Sequence, residues 1–181
     1  MGNKYSTKNL AKLAMLTAIS CVLVLLIRIP YPPLPFLKYD PADIPIFITA
    51  FAFGPVAGLV VTVIVSVLQA FVLGDDGIYG CLMHILATGM FVIVAGNIYA
   101  RHKDKKHAIS AIIIGVVALT LTMCIANYFV TPIFTGMPTE AVAKMILPFI
   151  VPFNLLKGGI NGFITFLVYK RISGFLHKDR L

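Results

Sequence analysis

The sequence predicts an all-α integral membrane protein with six transmembrane helices, a short helix 2, a structured outer loop 1 and both termini in the cytoplasm. Three observations carry this. Charged residues make up 12% of the chain and mean hydropathy is +0.95, whereas soluble domains carry about 25% charge. Apolar runs long enough to cross a bilayer recur along the chain. Most basic residues gather in short clusters between those runs. The 181 residues are read as one integral membrane domain, 1–181, with no room for a soluble catalytic domain.

The apolar runs cover residues 10–29, 44–73, 79–100, 108–134 and 145–172. The second is too long for one untilted span, since about 20 residues suffice. Inside it, Gly54-Pro55 can end one helix and begin another. Charge decides between five spans and six. The clusters are Lys4/Lys8/Lys12, Arg101/Lys103/Lys105/Lys106 and Lys170/Arg171/Lys178/Arg180. Six spans put all three on the cytoplasmic side, eleven of the fifteen Lys and Arg, as the positive-inside rule requires. Arg28, Lys38 and Lys144 then face out, and Lys157 lies in the membrane. The cost is a half-length helix 2 over residues 42–53, tolerated where it is buried in protein or lines a cavity. The outer side holds loops 30–41, 74–78 and 135–144. Pro30, Pro32, Pro33 and Pro35 exclude a regular helix in the first of them, so it is expected to run extended over the outer mouth.

Lysines before the first apolar run mimic a signal peptide, but no small-residue cleavage site follows, so the segment is read as a retained helix. Residues 1–6 fit a loose myristoylation pattern that a multi-span protein does not need. Cys21, Cys81 and Cys124 lack metal spacing and read as small packing residues. No metal site and no cofactor is expected. The scattered basic clusters do not suggest nucleic acid, and membrane lipid is the surrounding partner.

Lys157 lies inside the apolar run 145–168, with Asn154 three residues before it and Asn161 four after. These positions share one helix face, bordered by Gly158 and Gly162. A lysine deep in a membrane helix costs roughly 2.5–3.5 kcal/mol on insertion scales. Its depth argues against snorkelling, and no carboxylate falls well inside a predicted span. The stripe is therefore read as a polar site rather than a structural ion pair. Helix 4 carries Cys81, His84 and Thr88 at one-face spacing, and helix 5 carries Thr120, Cys124 and Asn127. Hydrogen bonding between helices accounts for any one of these hydroxyls or His84 equally well, but the set reads as one shared pocket. Tyr31, Phe36, Tyr39, Tyr79 and Tyr128 could close over a flat ligand. Asp75-Asp76 reads as a solvated turn, with a diphosphate or metal site as the alternative. No phosphate-binding loop or hydrolase motif is present, so any ATP-driven step belongs to another subunit. Ala11, Ala14 and Ala18 form a small face on helix 1 that lets another helix approach closely, inside the bundle or on a partner.

Phe36-Leu-Lys-Tyr-Asp-Pro-Ala-Asp-Ile-Pro45, running into Phe51-Ala-Phe-Gly-Pro55, resembles the loop 1 and helix 2 signature of riboflavin-specific substrate-binding components of energy-coupling factor (ECF) transporters. The Ala14/Ala18 motif is similar to that family's contact motif for its membrane coupling subunit. Asn127, Asn154 and Lys157 resemble its flavin-contacting positions, while His84 departs from the pattern. The resemblance covers essentially the whole chain. It implies a non-enzymatic component of a prokaryotic plasma membrane that captures riboflavin outside as transported ligand, not cofactor. Delivery would involve a membrane coupling subunit and two cytoplasmic ATP-binding subunits. The implied ligand site comprises Phe36, Leu37, Lys38, Tyr39, Asp40, His84, Asn127, Asn154 and Lys157. Lys157 would donate to a carbonyl, a ribityl hydroxyl or, in flavin mononucleotide, a phosphate. The competing readings are a binding component for another vitamin, such as thiamine, pantothenate or a queuosine precursor, and a small membrane enzyme acting on lipid or prenyl diphosphate.

Overall fold

A computed structural model describes residues 6–73 and 77–177, the last five of these by backbone alone. Lys4, Asp75-Asp76, Lys178 and Arg180 lie outside the described residues, as does most of the myristoylation pattern. Helix α1 (Thr7–Leu26) starts at Ser6, whose hydroxyl accepts from the Asn9 N–H at 3.3 Å. A hairpin of β1 (Ile29–Tyr31) and β2 (Leu34–Tyr39) follows. Next come α2 (Asp43–Phe53), α3 (Pro55–Leu68, prolonged by a π turn Gln69–Leu73), α4 (Gly77–Arg101) and α5 (Lys105–Thr135). The last pair is α6 (Thr139–Met145), prolonged by a π turn Ile146–Ile150, and α7 (Val151–His177).

Among the described residues, five helical stretches are long and apolar enough to cross a membrane: Thr7–Leu26, Pro55–Leu73, Gly77–Arg101, Lys105–Thr135 and Thr139–Ile172. The apolar helix Asp43–Phe53 is shorter. The break after α2 falls at Gly54, whose φ of 95° suits glycine, and Pro55 opens α3. Asp104 caps α5, accepting from the His107 N–H at 2.8 Å. That bond, reinforced by the His107 ring, holds the Asp104 carboxyl below its usual range.

Two expectations need correction. The chain is not purely α, because loop 1 folds as the hairpin, with Ile29 opposite Tyr39 and Pro30 opposite Lys38. Prolines are tolerated there because a two-stranded ribbon consists of edge strands. The predicted outer loop 135–144 shrinks to residues 136–138. Gly136 ends α5 in the left-handed region at φ 71°, and α6 begins at Thr139. The apolar signal at residue 145 therefore fell inside a helical stretch, at the end of α6, rather than at its start.

Helix α2 is the core. Every residue from Asp43 to Ala52 is buried, because α1, α3, α4 and α7 all pack around it. A predominantly apolar helix suits such an enclosed position, since it has no polar face that must reach solvent. Phe47 stacks on Phe91 at a centroid distance of 3.6 Å, and Phe51 meets both Tyr99 and Tyr169. Gly58 allows α3 to close on α2, since a Cβ there would meet Ala50 Cβ at 2.9 Å and its backbone at 3.1 Å. A second apolar cluster joins the hairpin (Leu34, Leu37) to Ile150 at the end of the second π turn and Phe153 at the start of α7. By contrast, Ala11, Ala14 and Ala18 are all exposed on α1 and face away from the chain's own bundle.

Candidate functional site

The segment from Asp40 to Asp43 joins the hairpin to α2 and brings two carboxylates into the interior, 1% and 2% exposed. Lys157 on α7 donates to Asp40 Oδ2 at 2.9 Å and lies 3.7 Å from Asp43 Oδ2. Asp43 Oδ1 accepts from the Thr88 hydroxyl at 2.6 Å and from His84 Nε2 at 3.1 Å. Its Oδ2 accepts from Asn161 Nδ2 at 3.2 Å. Asn161 also donates to the Asp40 carbonyl and accepts from the Tyr39 hydroxyl at 3.1 Å. Burial, and then Asp40, push the Tyr39 phenol above its usual range against the opposing pull of Lys157, so it remains a donor. A carboxylate only accepts, so His84 Nε2 carries a hydrogen. His84 Nδ1 lies 2.7 Å from the Ser66 hydroxyl, which also reaches the Thr62 carbonyl.

Lys157 therefore does have buried acidic partners, contrary to the expectation from the apolar runs. Asp40 and Asp43 precede or begin a short helix, where a hydropathy window reads them as loop. The burial of α2 carries them inward with it. Their place at its N-terminal end also suits negative charge.

Above this network lies a cavity, open at its mouth, of about 920 Å³ with the adjoining solvent space included. The hairpin contributes Phe36, Leu37 and Lys38 and the adjoining Asp40; α4 contributes His84 and Thr88; α5 contributes Asn127 and Thr131; α7 contributes Asn154 and Lys157. Of the expected site residues, Tyr39 is not among the lining residues, since its hydroxyl turns to Asn161. Asn161 is likewise fully buried behind the cavity, so the predicted stripe on α7 splits between pocket and scaffold.

Thr120 bonds back to the Val116 carbonyl, and neither it nor Cys81 nor Cys124 lines the cavity. Of the aromatic rim, Phe36 and Tyr79 line it, whereas Tyr31 packs on Phe153 and exposed Tyr128 packs edge-on to Phe129. Sequence reasoning missed Asp43, Gln69, Phe134 and Phe153. Asp43 was legible only as the second acid of the quoted signature. The other three carry no pattern that separates them from ordinary packing residues.

Asn127 Nδ2 donates to the Met123 carbonyl and its Oδ1 accepts from Thr131. Asn154 Nδ2 donates to the Ile150 carbonyl. Each bond to the helix's own backbone uses one amide hydrogen and leaves a second. With the Lys157 ammonium, α5 and α7 thus form a wall of donors beside aromatic and aliphatic surface, suited to a flat ligand edged with acceptors.

A family profile described as ECF transporter, substrate-specific component, matches residues 8–169. The chain belongs to that family. It is 33% identical over 184 residues to the riboflavin transporter RibU of Staphylococcus aureus (strain TCH60), covering 97% of this chain and 96% of the relative. It is 28% identical to the riboflavin transporter FmnP of Bacillus subtilis (strain 168), covering 96% of each. A solved S component of a bacterial ECF transporter superposes with a TM-score of 0.81 at 34% identity, covering 93% of this chain and 97% of that one. The family is one of transporter components rather than enzymes, and the apolar helices fit an integral membrane protein.

Breaking a buried ion pair from one side leaves uncompensated charge and costs about 3–5 kcal/mol. Lys157→Met should cost that much, because it leaves the Asp40 and Asp43 side chains, 2% and 3% exposed, without their cation. Adding Asp40→Asn should recover part of that loss. Unfolding in detergent followed by circular dichroism measures both; a Lys157→Met variant as stable as the parent would refute the structural role of the pair.

Proposed function

We propose that this chain captures riboflavin at the outer face of a prokaryotic plasma membrane and releases it inward together with a membrane coupling subunit and two cytoplasmic ATP-binding subunits. The observation that carries this reading is the donor wall of Asn127, Asn154 and Lys157 in a cavity covered by the hairpin. The isoalloxazine edge presents carbonyl acceptors on either side of an N–H, which amide and ammonium donors complement. Phe36, Tyr79, Phe134 and Phe153 supply apolar surface for its rings. Relatives of nearly the same length carry the name riboflavin transporter, which supports the choice of ligand. The protein is a carrier component and performs no chemistry on the vitamin.

Purified protein should be yellow, with a flavin absorption band. Asn127→Ala and Asn154→Ala should each weaken binding by about 1–3 kcal/mol, as expected for a lost buried hydrogen-bond partner. Quenching of flavin fluorescence reads this directly, which suits a chain without tryptophan. Wild-type affinity in both folded variants would sink the site assignment.

The same reading places six spans in the membrane, α2 being the short one, with both termini inside. The distribution of Lys and Arg supports this, as does the burial of α2 from Asp43 to Ala52, which needs no lipid-facing length. In a cysteine-free background, Thr7→Cys and Lys105→Cys, which bracket α1 to α4, should label from the same side of intact cells. Labelling from opposite sides would restore five spans.

Ala14 and Ala18 would dock the coupling subunit, and their exposure on α1 supports that role. Ala14→Trp with Ala18→Trp builds a ridge outside the bundle. Riboflavin binding in detergent should stay near normal, while co-purification with the other subunits and uptake are lost. Collapse of binding with assembly intact would instead mean that α1 packs inward.

A further inference from the structure

Gln69 is the first residue of the π turn that prolongs α3. Such turns displace a side chain from the α-helical register and recur at functional sites. Gln69 is 7% exposed and lines the cavity. Its Oε1 is buried with no hydrogen-bond partner among the described residues. A buried amide oxygen without a donor is costly and calls for an explanation.

The other carboxylates and amides of the cavity are differently placed. The carboxylates of Asp40 and Asp43 accept from Lys157, the Ala42 N–H, Thr88, His84 and Asn161. The amide oxygen of Asn127 accepts from Thr131. Asn127, Asn154 and Lys157 approach from α5 and α7, whereas Gln69 approaches from α3. One turn deeper on α3, Ser66 holds His84, so the helix is anchored in register just below Gln69.

We propose that Gln69 determines specificity in this pocket, its Oε1 accepting a hydrogen bond from an N–H or O–H of the bound ligand. The pocket then reads both polarities of one molecule: acceptors from the α5 and α7 side, a donor from the α3 side. This rests on the riboflavin reading above. Riboflavin offers two kinds of donor, the ring N3–H and the ribityl hydroxyls. A ligand of similar shape that lacks the matching donor would leave Oε1 unpaired, the strongest form of discrimination available to a polar site.

The test titrates wild-type protein, Gln69→Met and Gln69→Leu against riboflavin, N3-methylriboflavin and lumiflavin, which has methyl in place of ribityl. Both variants keep an apolar chain of similar bulk, so either one suffices if the other misfolds. Riboflavin affinity should fall about tenfold in the variants, and the deficit should shrink below about twofold for the analogue that lacks the matching donor. Unchanged riboflavin affinity in a folded variant overturns the proposal. An equal deficit for all three ligands also overturns it, since that is the behaviour of a packing residue. Wild-type protein that binds no flavin overturns the riboflavin reading and this inference together, whereas normal wild-type binding with unaffected variants overturns the Gln69 contact alone.

Discussion

Two carboxylates and one ammonium meet in the interior, and the architecture is arranged around keeping them satisfied. Asp40 and Asp43 are almost completely shielded, and Lys157 reaches them from a helix more than a hundred residues later. Buried charges of this kind contribute little net stability relative to apolar packing, but leaving one unpaired is severe. They therefore act as a register device. The end of the hairpin, the start of α2 and the faces of α4 and α7 bearing His84, Thr88 and Asn161 must all be in place for the acceptors to be filled. With those ends pinned, α2 can be both half-length and enclosed from Asp43 to Ala52, since neither its charges nor its apolar sides need reach water or lipid.

The same network bears on the cavity. Lys157 lines the pocket while holding Asp40, the residue at which the covering hairpin joins the bundle. Roof and floor thus share a side chain. Asn161 and Tyr39 tie the same junction from behind without lining the cavity. A substitution at Lys157 consequently mixes loss of a ligand donor with loss of scaffold, whereas Asn127 and Asn154, whose visible bonds run to their own helices or to a neighbouring hydroxyl, report on the pocket more cleanly.

Polarity alone is a poor guide to function inside such a bundle. Thr17, Thr49, Thr62, Thr120 and Thr122 each donate to the carbonyl four residues earlier. A hydroxyl satisfied by its own helix can sit anywhere in an apolar environment. Thr88 differs because it donates to Asp43 across helices. Nothing in the spacing of threonines along α4 and α5 separates Thr88 from Thr120.

The sequence by itself determined the membrane class, the break at Gly54-Pro55, the exclusion of helix from loop 1 and the polar face of Asn154 and Lys157. Each follows from local chemistry: hydropathy over a window, the conformational limits of glycine and proline, and helical periodicity. Its resemblance to a known signature pointed to the right family. Only the tertiary structure decided that Lys157 is paired, that Asn161 and Tyr39 lie behind the pocket, and that Gln69 faces into it. Those outcomes depend on which helices surround α2 and how deep its N-terminal end is carried. Burial and cross-helix distance are properties of the assembled bundle, and no window along the chain contains them.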